Sequence, residues 1–79
     1  MRVDKFLKVS RLVKRRPLAK ELADKGRVQV NGKVVKSSFE LKIGDELEIN
    51  LGTRVLKARV RDLRETTKKA EASELYDLL

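Results

Sequence analysis

The spacing of hydrophobic positions along the chain changes period twice. Val3, Phe6, Leu7, Ser10 and Val13 recur at helical spacing, with Lys5, Lys8 and Arg11 opposite them and Asp4 among these charges. This pattern predicts a helix over residues 3–13, apolar stripe inward and basic stripe outward. Lys14-Arg15-Arg16-Pro17 interrupts it. Proline is tolerated in the first turn of a helix, where its missing N–H would find no intrahelical partner, so a second helix is predicted to start near Pro17. Leu18, Ala19, Leu22 and Ala23 form its apolar face, Lys20, Glu21, Asp24 and Lys25 face water, and Gly26 caps its end.

Beyond Gly26 the period drops to two. Val28-Gln29-Val30 and Lys33-Val34-Val35 flank Asn31-Gly32. Asn-Gly between β-prone runs predicts a hairpin, because a type I′ turn needs two successive positive φ angles. Leu47-Glu48-Ile49, reached through Gly44-Asp45, is a third strand. Val55 to Leu63 is a fourth, with Leu56, Ala58 and Val60 inward and Lys57, Arg59 and Arg61 outward. From about Lys68 the period lengthens again: Ala72, Leu75, Tyr76 and Leu79 sit at helical spacing. The predicted order is α-α-β-β-β-β-α, a small α+β domain over 1–65 with a helical tail over 66–79.

Composition narrows the function. The 79 residues contain neither cysteine nor histidine, which removes disulfides, thiol nucleophiles, imidazole bases and the usual zinc ligands together. No metal and no cofactor is expected. The remaining candidates for catalysis (carboxylates, Ser10, Ser37, Ser38, threonines, Tyr76 and lysines) form no motif with a base and an orienting partner, so the chain does not read as an enzyme. No apolar run approaches the roughly 20 residues of a membrane span, and no signal core follows Met1-Arg2-Val3-Asp4-Lys5. A cytoplasmic protein with no membrane partner is expected.

The formal net charge is +8, and it is unevenly placed. Residues 1–36 carry 12 basic and three acidic side chains, whereas residues 37–79 carry eight and nine. All the excess lies in the first half, as in a domain with one polyanion-binding face. Two short helices joined by a basic turn suit either a DNA-reading helix-turn-helix or a phosphate clamp. Glu21 and Asp24 on the second helix would repel phosphates in a major groove, which favours the clamp. Arg15 and Arg16 precede Pro17 where a capping acceptor is usual, and neither can accept a hydrogen bond. The free N–H groups at that helix start would suit a phosphate oxygen. Phe6, Phe39 and Tyr76 are the only aromatics, and Phe6 lies on the core stripe, so recognition by shape and backbone is favoured over base stacking.

Four pieces in order carry a family resemblance: Arg2-Val3-Asp4-Lys5-Phe6-Leu7, then Arg16-x-x-Ala19-x-x-Leu22, then Gly26-x-Val28-x-Val30-Asn31-Gly32-x-Val34, then Gly44-Asp45-x-Leu47. Together they resemble the ribosomal-protein-S4-type, or alpha-L, RNA-binding domain, over residues 2 to about 50. The resemblance implies two helices on a small, twisted, mainly antiparallel sheet, with RNA on the helical face. The whole chain is similar to a stand-alone bacterial branch of that family working in ribosome-associated quality control. That branch implies a monomer on the split large ribosomal subunit, contacting large-subunit rRNA and peptidyl-tRNA and assisting RqcH in C-terminal alanine tailing. Carried onto this sequence, the RNA contacts are Arg2, Lys5, Arg11, Arg15 and Arg16, with Asp4 holding an arginine in place; the basic cluster itself adds Lys8, Lys14 and Lys20 to the expected RNA-binding residues. Relatives often have Ser or Thr beside the arginine where this chain has Arg15-Arg16-Pro17, which leaves open which arginine is the shared one. A heat-shock-type large-subunit recycling factor of the same family, or a generic structured-RNA module, is the alternative, ahead of a DNA-binding protein. The acidic stretch before Leu79 favours the quality-control branch over the heat-shock one, whose C-terminus is basic.

Overall fold

The computed structural model describes residues 1–79 in full. Two helices, α1 (Val3–Val9) and α2 (Arg16–Asp24), precede strands β1 (Val28–Val30), β2 (Lys33–Val34), β3 (Glu46–Asn50) and β4 (Val55–Val60). A 3-10 helix over Lys69–Leu75 then leads into β5 (Tyr76–Leu78). The five strands form one antiparallel sheet in the order β2-β1-β3-β4-β5. One core joins helices and sheet: Val3, Phe6 and Leu7 of α1, Ala19, Leu22 and Ala23 of α2, and Val28, Val30, Leu47, Ile49 and Val60 of the strands. The expected α+β class, with two helices on an antiparallel sheet and a short C-terminal helix, is the observed one.

The first helix is shorter than its apolar spacing predicts. It ends at Val9, Ser10 caps it, and Arg11 takes a left-handed φ of 62°. The chain then doubles back, with the Arg11 N–H donating to the Lys8 carbonyl at 3.1 Å and the Val13 N–H to the Leu7 carbonyl at 3.0 Å. The buried Ser10 hydroxyl donates to the Leu7 carbonyl and accepts from the Leu12 N–H. Val13 is buried as its spacing required, but it arrives by a turn. A periodicity constrains which face a residue meets, and a tight turn satisfies that constraint as well as a further helical turn does. In α2, Leu18 departs from its predicted face: it is 45% exposed, and Ala19, Leu22 and Ala23 make the contact.

The hairpin is as predicted. Asn31 and Gly32 have φ of 52° and 84°, both positive as a type I′ turn requires. Asn31 also ties the hairpin to β3: its side-chain Nδ2 donates to Asp45 Oδ1 at 3.1 Å, and its Oδ1 accepts the Glu46 N–H at 3.0 Å. Asn31→Ala removes both bonds and puts a residue with no local side-chain hydrogen bond at positive φ. A loss of about 2–5 kcal/mol is expected, at roughly 0.5–1.5 per bond and 1–2 for the left-handed residue. Thermal unfolding checks it. Asn31→Gly separates the two parts, since it relieves the backbone and still lacks the bonds.

The C-terminal segment contains a strand that its spacing did not predict. Ala72 and Leu75, three residues apart, are buried by one 3-10 stretch, after which the chain straightens and pairs with β4 in the register Ala58↔Leu78, Arg59↔Asp77, Val60↔Tyr76. Leu75 is fully buried in the common core, and Leu79 is exposed. The reason is the edge of β4. Without β5 its outward N–H and C=O groups would lack partners.

Candidate nucleic-acid interface

Arg2 precedes α1 in extended conformation, and Asp4 lies in the first turn, where a carboxylate complements the helix dipole. Asp4 is not on the wet face where its position in the basic stripe put it. Its side chain is 3% exposed. Its carboxylate accepts the N–H of Lys5 at 2.9 Å and the Arg2 guanidinium through Nε at 3.2 Å and Nη2 at 3.3 Å, and it lies 3.5 Å from Arg16 Nε. One buried carboxylate therefore touches arginines from two separate elements. Burial of an anion is tolerated when cations and hydrogen bonds surround it, which accounts for the position of Asp4. The arginines themselves are 43% and 46% exposed, so each keeps donors for an outside acceptor.

The helix start falls one residue earlier than predicted. Arg15 is the N-cap in extended conformation, Arg16 is the first helical residue, and Pro17 follows. No side chain caps α2. The Arg16 and Leu18 N–H groups have no protein acceptor, and Pro17 has no N–H to satisfy. They belong to the same helix start as Arg15 and Arg16, where backbone dipole and side-chain charge have the same sign.

The eight cations expected to meet RNA divide into three groups. Lys8, Lys14 and Arg15 are exposed and make no ion pair, and Arg11 reaches only the Thr67 carbonyl, at 3.4 Å. Arg2 and Arg16 are oriented through Asp4. Lys5 and Lys20 are neutralised within the chain, Lys5 by Glu65 and Lys20 by Asp24 at 3.6 Å. Asp24 itself accepts the Ser37 N–H at 3.2 Å, and that backbone bond is the main cause holding its carboxyl below the usual aspartate range. Glu21 is held low by the hydrogen bond and charge of Lys25. Both acidic groups that argued against a groove-reading helix are thus engaged with their own helix or with the residue beside β2.

The partner of Lys5 was not legible in the sequence. Glu65 comes from the strap that follows β4, 60 residues away. The same strap docks on the end of α1, where the Thr67 hydroxyl donates to the Val9 carbonyl at 2.7 Å. No local pattern signals such a contact. Elsewhere the surface offers only open grooves. One of ≈ 390 Å³ runs along Asn31, Gly32, Glu46, Leu47, Glu48, Lys57 and Leu79, and its carboxylates pair with Arg59 and Lys57 on the adjoining strand. No helix is long and apolar enough to cross a membrane.

Known proteins match this arrangement. The S4 domain model matches residues 1–47, which hold the whole two-helix face and the hairpin. Over all 79 residues the chain is 53% identical to the RQC P-site tRNA stabilizing factor of Bacillus subtilis (strain 168), of which it covers 92%. It is 49% identical to the protein of the same name from Streptococcus pneumoniae, of which it covers 90%. Its fold is similar to that of Vibrio cholerae Heat Shock Protein 15, a trimeric structure, with a TM-score of 0.93 at 28% identity over 100% of this chain and 81% of the other. With the domain model spanning the interface and full-length identity to factors of one name, the chain belongs to the S4 domain family, in the group of RQC P-site tRNA stabilizing factors.

Proposed function

We propose that this chain is a non-catalytic RNA-binding factor of ribosome-associated quality control. It binds the split, obstructed large ribosomal subunit through rRNA, steadies peptidyl-tRNA there, and assists RqcH in C-terminal alanine tailing. It works as a monomer in the cytoplasm, on the ribosome. The observation that carries the reading is the gathering of free cations, the Asp4-held arginines and an uncapped α2 start on one helical face. Phosphate oxygens would accept from all three. The names of the full-length relatives support the tRNA and the quality-control setting. The similarity to Heat Shock Protein 15 favours a second reading, a heat-shock-type large-subunit factor.

Sucrose-gradient sedimentation of a cell lysate tests the proposal. Co-migration with free large subunits, lost on Arg16→Glu, is expected. Migration only at the top of the gradient would remove the large subunit as partner. Deleting this chain in cells that retain RqcH separates the two readings: the quality-control role predicts loss of alanine tails, whereas a heat-shock-type role leaves tailing intact.

A further inference from the structure

Ion pairing within the chain leaves a one-sided remainder. Every side-chain carboxylate except Asp45 lies within ion-pair distance of a cation. Asp45 instead accepts the Asn31 amide and the Lys42 N–H. Among side chains, the charges without an ionic partner are therefore, Asp45 apart, all positive. The strap and the C-terminal segment show this most clearly. Their sequence is rich in acid, which by itself would repel RNA. Yet Arg64 takes up three of those carboxylates, Asp62 at 2.8 Å, Glu74 at 3.1 Å and Glu71 at 4.0 Å, and the hydrogen bonds it donates to Asp62 and Glu74 raise the pKa of its guanidinium above the ordinary value. Glu65 is paired with Lys5, and Asp77 with Arg61 at 3.4 Å. Lys68 and Lys69 remain exposed and unpaired.

Their location follows from the docking of the strap. Thr67 is bonded to the end of α1 through its hydroxyl, and its carbonyl accepts from Arg11. Lys68 is the next residue. Its backbone therefore lies beside the left-handed turn at Arg11, next to a groove walled by Lys8, Val9, Arg11, Glu65, Thr66 and Thr67. Lys69 opens the 3-10 helix, whose start is closed by the Lys68 N–H donating to Glu71, so the pair is held in place at the backbone.

We propose that Lys68 and Lys69 extend the RNA-phosphate-binding face past the two helices, making the C-terminal segment part of the interface. The inference rests on the RNA-binding reading above. A backbone that runs across α2's start and along α1 meets the Lys8–Arg11 end next, and Lys68 and Lys69 lie in its path. Like charges from a segment some 60 residues distant persist there because a polyanion neutralises them on binding.

The test uses the full-length chain and deacylated bulk bacterial tRNA as probe, with affinity measured over a salt series. Lys68→Gln/Lys69→Gln is expected to flatten the dependence of log K on log salt by about 1.4–1.8, two contacts at roughly 0.7–0.9 each. Lys33→Gln/Arg54→Gln removes the same charge from two hairpin tips where neither residue is paired, and should leave the slope near the parental value. If Arg16→Glu lowers the slope but the Lys68/Lys69 variant does not differ from the Lys33/Arg54 control, the proposed extension is overturned and the helical face stands. If the unaltered chain shows no salt-dependent binding, the RNA-binding reading falls, and the extension with it.

Discussion

Replacing Arg15 and Arg16 together by glutamate is expected to lower affinity for structured RNA by about 100-fold or more, with a smaller effect on fold stability. A hydrogen bond to a charged group contributes about 1.5–3 kcal/mol, so losing two exceeds roughly 3 kcal/mol, and each 1.4 kcal/mol is about tenfold. Fold stability has less to lose. Arg15 makes no ion pair; Arg16 lies 3.5 Å from the buried Asp4 carboxylate, so glutamate there sets like charges together, at a cost of about 1–3 kcal/mol, while Arg2 keeps Asp4 paired. Glutamate at the N-cap and first helical position would also meet the favourable end of the α2 dipole. The salt slope discriminates: it should fall along with the affinity. Weaker binding at unchanged slope would mean that the arginines act on the shape of the helix start and touch no phosphate.

Leu75→Ala carries the largest expected effect on stability. Leu75 is fully buried, and its carbonyl accepts the Arg61 N–H at 2.8 Å and the Asp62 N–H at 3.3 Å, so it sits where β4 ends and β5 begins. Truncating a buried leucine costs about 2–5 kcal/mol through lost burial and the cavity left behind. A domain of this length has roughly 4–12 kcal/mol in all. Urea unfolding should therefore show the midpoint falling by about a sixth or more, and the mobility of β5 rising with it in hydrogen exchange. A cost under about 1 kcal/mol would show the C-terminal segment to be an appendage on a domain that is complete at β4. Leu75→Met, which keeps volume, should stay within about 1.5 kcal/mol of the parent.

These two predictions separate the parts of the molecule that were easy and hard to read from residues. The hairpin was legible because Asn31-Gly32 is a local requirement: few residues accept two positive φ angles in succession. The start of α2 was legible to within one residue because Pro17 restricts its neighbours. The stripe of Val3, Phe6, Leu7, Ser10 and Val13 was right about burial and wrong about path, since only the φ of Arg11 decides whether the chain continues or turns. The alternation after Val55 was right about the face that Ala58 and Val60 bury, though β4 stops at Val60, short of Leu63.

The candidate site has the same division. The uneven charge along the sequence pointed to the helical face, because net charge survives any folding. It could not say which cations stay free. Lys5 and Arg11 occupy like positions on the basic stripe, yet Glu65 neutralises the first, and the second meets only a carbonyl. Asp4 looked like one charge among several on a wet stripe, and it is the buried group that both arginines touch.

Sequence alone determined the elements with local causes: two short helices, an Asn-Gly hairpin, alternating strands and the half of the chain that bears the positive excess. Tertiary structure decided the pairings. It added β5 to close the edge of β4, turned Asp4 inward between Arg2 and Arg16, and laid the strap with Glu65 and Thr67 across α1. The physical reason is range. Turn preference and periodicity act between near neighbours in sequence, whereas an ion pair or a strand partner is chosen by what lies within a few ångströms once the core has closed.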